Sequence, residues 1–256
     1  MVTAFSLLMF SKLANSRGFI KFAVMLTKGK CIVLHSIKYG DDSNIVSVYF
    51  EQEGLLSFMT KSLKGHHNNI IRSLLQPLSV IDVEFDYRQN RRLQYFREIK
   101  PAFMMTEMYG NPYKITIAIF IAEVLRYALR GEKGNASLFA FVYNSIQWLT
   151  QCDGGFANFH IVFLAKLLTF LGYNPVYDEE FRSLALRSGL GSCGQGLDVS
   201  NIEKLITLDY DEMNLYTMNH TERDQCIDVL LKYYKLRLPE FPELKSLEVL
   251  KDVFCD

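Results

Sequence analysis

Hydrophobic and polar positions along this chain keep one rhythm up to about Pro101 and another beyond it. In the first part, Cys31 to Lys38 is an apolar-rich run, broken by Tyr39-Gly40-Asp41-Asp42-Ser43. Asn44 to Glu51 is a second run, Gln52-Glu53-Gly54 a tight turn, and Leu55 to Thr60 a third run. Breaks this short join antiparallel neighbours, because a parallel pair needs a crossover of about a dozen residues or more. Ser62 to Gln76 then places Ile70, Ile71, Leu74 and Leu75 at helical spacing, and Pro77 ends it. From Leu78 to Tyr87 the alternation returns: Ile81, Val83, Phe85 and Tyr87 interleave with Asp82, Glu84 and Asp86. A polar connector, Arg88-Gln89-Asn90-Arg91-Arg92, leads to a fifth run at Leu93 to Ile99. Three strands, a short helix and two more strands is the order of a small five-stranded antiparallel OB-fold barrel.

Beyond Pro101 the period becomes helical. Ile115 to Leu129 is apolar on nearly all sides and predicts a buried helix, with Glu123 and Arg126 as an i, i+3 surface pair. Asn135 caps a helix running to Gln151, and Phe156 to Leu171 forms another, closed by Gly172 with Pro175 beyond. Ser200 with Glu203, and Thr221 with Asp224, resemble capping boxes of two later helices. A Pro-broken link and a short final helix complete the chain. The fold class is therefore α+β, with an OB barrel over 25–105 and an α-helical domain over 106–256. Residues 1–24 fit neither part. No basic region precedes the apolar stretch Val2 to Phe10, and Lys12, Arg17 and Lys21 interrupt the residues after it, so neither a secretory signal nor a membrane span is expected. The working protein is expected to begin at Met25.

Composition adds one asymmetry. The 256 residues are 49% hydrophobic and 22% charged, ordinary for a chain with a sizeable core. The formal charge is zero, yet residues 1–105 carry 14 Lys and Arg against 8 Asp and Glu, and residues 106–256 carry 14 against 20. A basic first half suits a polyanionic partner. The five cysteines are scattered without CxxC spacing, which points to free thiols and away from a zinc site.

The cations concentrate in two connectors. Lys61-Ser62-Leu63-Lys64-Gly65-His66-His67 is a basic, Gly-containing loop at a barrel rim, followed by a helix that carries Arg72. The paired histidines lack a carboxylate or Cys at ligand spacing, so no metal is expected there. Arg88, Arg91 and Arg92 occupy the connector between strands four and five, one of the two that line the nucleic-acid face of OB barrels. Tyr39, Tyr87, Tyr95 and Phe96 suit base stacking or the core. For catalysis there is little. Asp41-Asp42 is a turn pair, Cys152 and His160 fall on different elements, and GLGSCGQG at 189–196 lacks the Lys-Ser/Thr of a P-loop.

The phrase IVLHSIKYGDDSNIVSVYFEQEGLLSFMTKSLKG resembles the opening of the RecO family of recombination mediators. LLQPLSVIDVEF is similar to that family's Leu-Gln-Pro-hydrophobic continuation. LGYNP and LKYYKLRLPEFPELKSLEVL resemble its Gly-Tyr-x-Pro and its closing Leu-Lys-Ser-x-x-x-Leu. The likeness runs from about Met25 to Leu250. It implies an OB domain that binds single- and double-stranded DNA, and a helical domain that meets RecR and the acidic tail of the single-stranded DNA-binding protein SSB. It also implies annealing of complementary strands and assistance to RecA loading, without hydrolysis, cofactor or membrane, in the cytoplasm at the nucleoid. Where many members carry four zinc-binding cysteines after Gly-Tyr-x-Pro, only Cys193 stands here, as in a zinc-less version. On this reading Lys61, Lys64, Arg72, Arg88, Arg91 and Arg92 hold phosphates, and Arg126 and Lys166 hold the SSB tail. Two rivals remain: a protein-binding scaffold, and an enzyme whose active site lies in the helical half.

Overall fold

The computed structural model describes residues 25–40, 43–61, 71–188, 204–205, 207–213 and 216–254. Asp41-Asp42, Lys64, the histidine pair, the 189–196 loop with Cys193 and the Ser200–Glu203 cap lie outside these residues. Five strands, β1 (Met25–Tyr39), β2 (Ser43–Phe50), β3 (Gly54–Lys61), β4 (Val80–Tyr87) and β5 (Gln94–Pro101), close into a barrel in the order β1-β2-β3-β5-β4. Four of the pairings are antiparallel. A ring with an odd number of strands cannot alternate direction all the way round, so one seam must be parallel. That seam joins β3 to β5 through Phe58↔Gln94 and Met59↔Tyr95, and it corrects the expectation of a wholly antiparallel barrel.

β1 starts six residues before the expected Cys31. Lys28, Gly29 and Lys30 show no apolar alternation; they are drawn into the sheet by pairing with Glu84, Val83 and Asp82 of β4. The strand changes partner from β4 to β2, with a register shift between Val33 and His35. Its alternation then feeds two cores. Cys31 and Val33 point into the barrel with Val46, Val48, Phe58 and Phe85. Ile32 and Leu34 point outward, with Tyr49 and Val80, into the core of the helices. A strand buried on both faces is why this run is apolar without a break.

After one helical turn (Thr106–Tyr109) come α1 (Pro112–Ala128), α2 (Ala136–Gln151), α3 (Phe159–Phe170), α4 (Glu179–Arg187), α5 (His220–Arg237) and α6 (Ser246–Val253). Asn135 caps α2 as expected, accepting from Ser137 N and Leu138 N at 3.1 Å. The box on α5 lies two residues earlier than expected. Asn219 and Glu222 exchange two 2.9 Å bonds, Asn being the stronger cap and Glu having the extra methylene needed to reach back. Glu123 is no surface partner of Arg126. It accepts from Lys245 N at 3.1 Å and Ser246 N at 2.9 Å, and so caps α6. Among the described residues, no helix is long and apolar enough to cross a membrane.

The barrel meets the helices at a contact that two glycines permit. A Cβ on Gly54, whose φ is +79°, would lie 2.4 Å from Glu132 O. A Cβ on Gly134 would lie 2.0 Å from Gln52 O. The β2–β3 turn and the α1–α2 connector therefore touch backbone to backbone.

Candidate nucleic-acid interface

Among the described residues, no helix covers the outer surface on β2, β3 and β5 beyond its first rung. Inward positions of β2 and β3 are Val46, Val48, Leu56 and Phe58, so the outward rungs are Ile45↔Met59, Ser47↔Ser57 and Tyr49↔Leu55. Helices cover the last rung: Tyr49 is fully buried and its ring lies 5.8 Å from that of Phe139. The other two rungs are only partly buried. Tyr95 joins them across the parallel seam, 52% exposed, its hydroxyl donating to Met59 Sδ at 3.7 Å. Ile45, Met59 and Tyr95 form an apolar strip beside two serine hydroxyls. Such a strip suits the π-face of a base and has no preference among sequences.

Arginines flank one end of the strip. Ser57, Tyr87, Gln89, Asn90, Arg91 and Arg92 line a concavity of about 340 Å³. Arg91 and Arg92 are exposed, Arg88 partly so, and among the described residues none of the three makes an ion pair. The loop is a β-turn in which Arg91 N donates to Arg88 O at 3.0 Å. The other end of β3 is Lys61, paired with Ser43 beside the β1–β2 turn; its backbone alone is described. Arg72 is exposed on a helical turn at 71–74, and its carbonyl accepts from Gln76 Nε2 at 3.2 Å. Its neighbours Ser73 and Leu74 line a cavity with Val80 and Pro101. Those residues mark the end of β4 and β5 away from the arginine loop, so the structure does not bring Arg72 to the three arginines. The described candidates therefore do not form one patch: the Lys61 backbone and Arg72 lie away from the three arginines.

The neighbouring face behaves differently. On β1, β4 and β5, Lys28 pairs with Glu84, Lys30 with Asp82 at 2.8 Å, Arg97 with Asp86 at 2.7 Å and Lys100 with Glu98 at 2.7 Å. The bond to Asp82 raises the Lys30 pKa, and Lys100 and Glu98 move apart in the same way through their shared bond. These cations already hold carboxylates.

Of the four aromatic candidates, Phe96 stacks on Phe58 at 4.0 Å and Tyr87 packs edge-on to Phe85 at 6.1 Å. Tyr39 and Tyr95 stay open to solvent. Sequence reasoning missed Gln94. It is 3% exposed, and its amide bonds to the backbone of Arg88 and Arg91. A glutamine at an inward position straight after a turn was the available signal.

In the helical half, Arg126 lies over the Tyr127 ring at 5.5 Å, and Lys166 pairs with Asp209 at 3.1 Å and lies over the Tyr210 ring. Neither lines the apolar cavity of about 550 Å³ formed by Leu74, Val80, Phe103, Met104, Met105 and Tyr109. Burial pushes the Cys152 thiol up and holds His160 down at about 3. His160 sits between the Phe120 and Phe254 rings. Among the described residues, no three His, Cys, Asp or Glu side chains group as metal ligands.

Comparison with known proteins agrees in both halves. A family model described as recombination protein O, N terminal, matches residues 25–105, and one described as recombination protein O, C terminal, matches residues 110–185. The chain is similar to the DNA repair protein RecO of Phocaeicola vulgatus, 39% identical over 241 residues that cover 90% of this chain and all of the relative. It is 40% identical over 241 residues to the protein of that name from Bacteroides fragilis, with the same coverage. That of Christiangramia forsetii is 30% identical over 239 residues, again covering 90% of this chain and all of the relative.

Proposed function

The chain belongs to the recombination protein O family and so to DNA repair and recombination, and from that premise we propose that its barrel holds single-stranded DNA across β2, β3 and β5. Arg88, Arg91 and Arg92 take phosphates at one end, and Lys61, Lys64 and Arg72 take them at the other. Between them the bases lie on Tyr95, Met59 and Ile45. The observation that carries this reading is a turn of arginines without carboxylate partners among the described residues, next to an apolar strip whose Tyr95 is exposed. Duplex DNA engages the same cations through its backbone. Neutralising phosphates on two complementary strands lowers their repulsion, which is how a protein without an active site anneals them. Acting with RecR, it helps RecA onto SSB-covered strands at the nucleoid. The acidic SSB tail docks on the helical half, with Arg126 and Lys166 as its cations. Lys166 must then exchange Asp209 for the tail.

Binding of a labelled single strand at rising salt tests the reading. About six engaged phosphates give a slope of log K against log salt near −4, at about −0.7 each. Replacing Arg88, Arg91 and Arg92 together by Ala makes the slope shallower by about 2. A flat titration in the parent protein sinks the mechanism. Equal capture of SSB with and without its tail sinks the docking.

A further inference from the structure

We propose that Gln94 is the positioning residue of the arginine turn, which it holds as a neighbouring strand would. The inference rests on the DNA-binding reading above. Gln94 opens β5 with its side chain turned inward and buried. Arg88 N donates to its Oε1 at 3.1 Å, while its Nε2 donates to Arg88 O at 2.9 Å. A donor and an acceptor facing the N–H and C=O of one residue are what a paired residue of an adjacent antiparallel strand supplies. The β4 ladder thereby gains one more rung, at the first residue of the turn.

The second Nε2 hydrogen goes to Arg91 O at 2.9 Å. One side chain thus grips both ends of the turn that Arg91 N closes onto Arg88 O at 3.0 Å. The amide orientation follows from its partners, since the nitrogen faces two carbonyls and the oxygen faces an N–H. Gln89 and Asn90 at the tip are exposed. The arginines gain no anchor from their side chains, which make no ion pair among the described residues. Their aim depends on their backbone, and the backbone depends on Gln94. Gln94 edges the concavity, but it is 3% exposed and its amide is engaged by the turn's backbone, so it acts on binding through the arginines.

The test is a salt titration with a labelled single-stranded oligonucleotide on the full chain, well below its melting temperature. Arg91→Ala/Arg92→Ala should make the slope shallower by about 1.4, and Gln94→Met, which keeps the volume and loses the amide, should approach the same value. Gln94→Met added to Arg88→Ala/Arg91→Ala/Arg92→Ala should change nothing further, because the residues it aims are gone. Val83→Ala, which opens the barrel interior, should lower stability and leave the slope alone. An unchanged slope in Gln94→Met beside a shallower one in the double arginine variant overturns the inference and spares the DNA reading. If neither variant moves the slope, the DNA reading falls and this inference with it. A further loss on adding Gln94→Met to the triple variant also overturns it, by giving Gln94 another role. Amide exchange in the unaltered protein needs no variant to fold: the Arg88 amide should be protected like the strand amides of β4, and exchange as fast as at Asn90 overturns the inference.

Discussion

The outward face of β2 and β3 has two regions that alternation alone makes equivalent. Tyr49↔Leu55 lies under the helices, and Ser47↔Ser57 and Ile45↔Met59, the next rungs along, are partly buried and not covered by them. At the covered end Tyr49 is fully buried, Leu55 partly so, and the backbones of Gly54 and Gly134 are pressed against Glu132 and Gln52. At the other end there are hydroxyls, a thioether and the Tyr95 ring, and the arginine turn lies beside Leu55, Leu56 and Ser57, where the two regions meet. One end of a single sheet face thus packs on the helices, and the other is the end proposed for contact with DNA. The covering helices decide which is which.

That division breaks most visibly at the covered end. Gly134→Ala places a methyl group against the Gln52 carbonyl, and backbone must move to admit it. The expected cost is about 3 kcal/mol. For a chain of this length that lowers the melting temperature by about 6–12 °C. Single-strand affinity measured on the folded protein should not change. An unaltered melt would mean that the seam is looser than its geometry.

At the open end the effects should invert. Tyr95→Ala is expected to leave stability within about 0.5 kcal/mol, as for an exposed side chain outside the core. Its affinity for a single strand should fall roughly 5- to 150-fold, the worth of one base–aromatic stack. Fluorescence anisotropy and a thermal melt on the same sample check both halves. A variant that melts earlier but binds as the parent would place Tyr95 with the covered residues.

The smallest effect sharpens the border between the open face and the charge-paired one. Asp86 accepts two bonds from Arg97, at 3.0 and 2.7 Å. Asp86→Asn should release Arg97 toward DNA and raise affinity about two- to threefold, with the salt slope steeper by up to about 0.7. The lost pair is exposed enough that stability should change by under about 1 kcal/mol. No gain in affinity would end the DNA surface at Tyr95.

Much of this was legible in the sequence. The strand–turn rhythm between Cys31 and Thr60 and the Asn135 cap depend on residues a few positions apart, at periods of two or near 3.6 that a single strand or helix imposes on itself. The order of five strands and a helix likewise pointed to the barrel, as did the family likeness. The arginine loop was legible as a cluster because its members are neighbours in the chain.

What the sequence could not decide is which groups meet across long separations. Arg97 and Arg91 look alike in the sequence, yet Arg97 faces Asp86 while Arg91 faces solvent. Lys30 meets Asp82 from 52 residues away and Glu123 caps a helix 123 residues on. The parallel seam, the early start of β1 and the burial of Tyr49 are of the same kind. Local pattern determined the elements because their energetics are local. Tertiary packing alone decided which cations are neutralised, which aromatics are exposed and which glutamine holds the turn, because those depend on what the rest of the chain places opposite them.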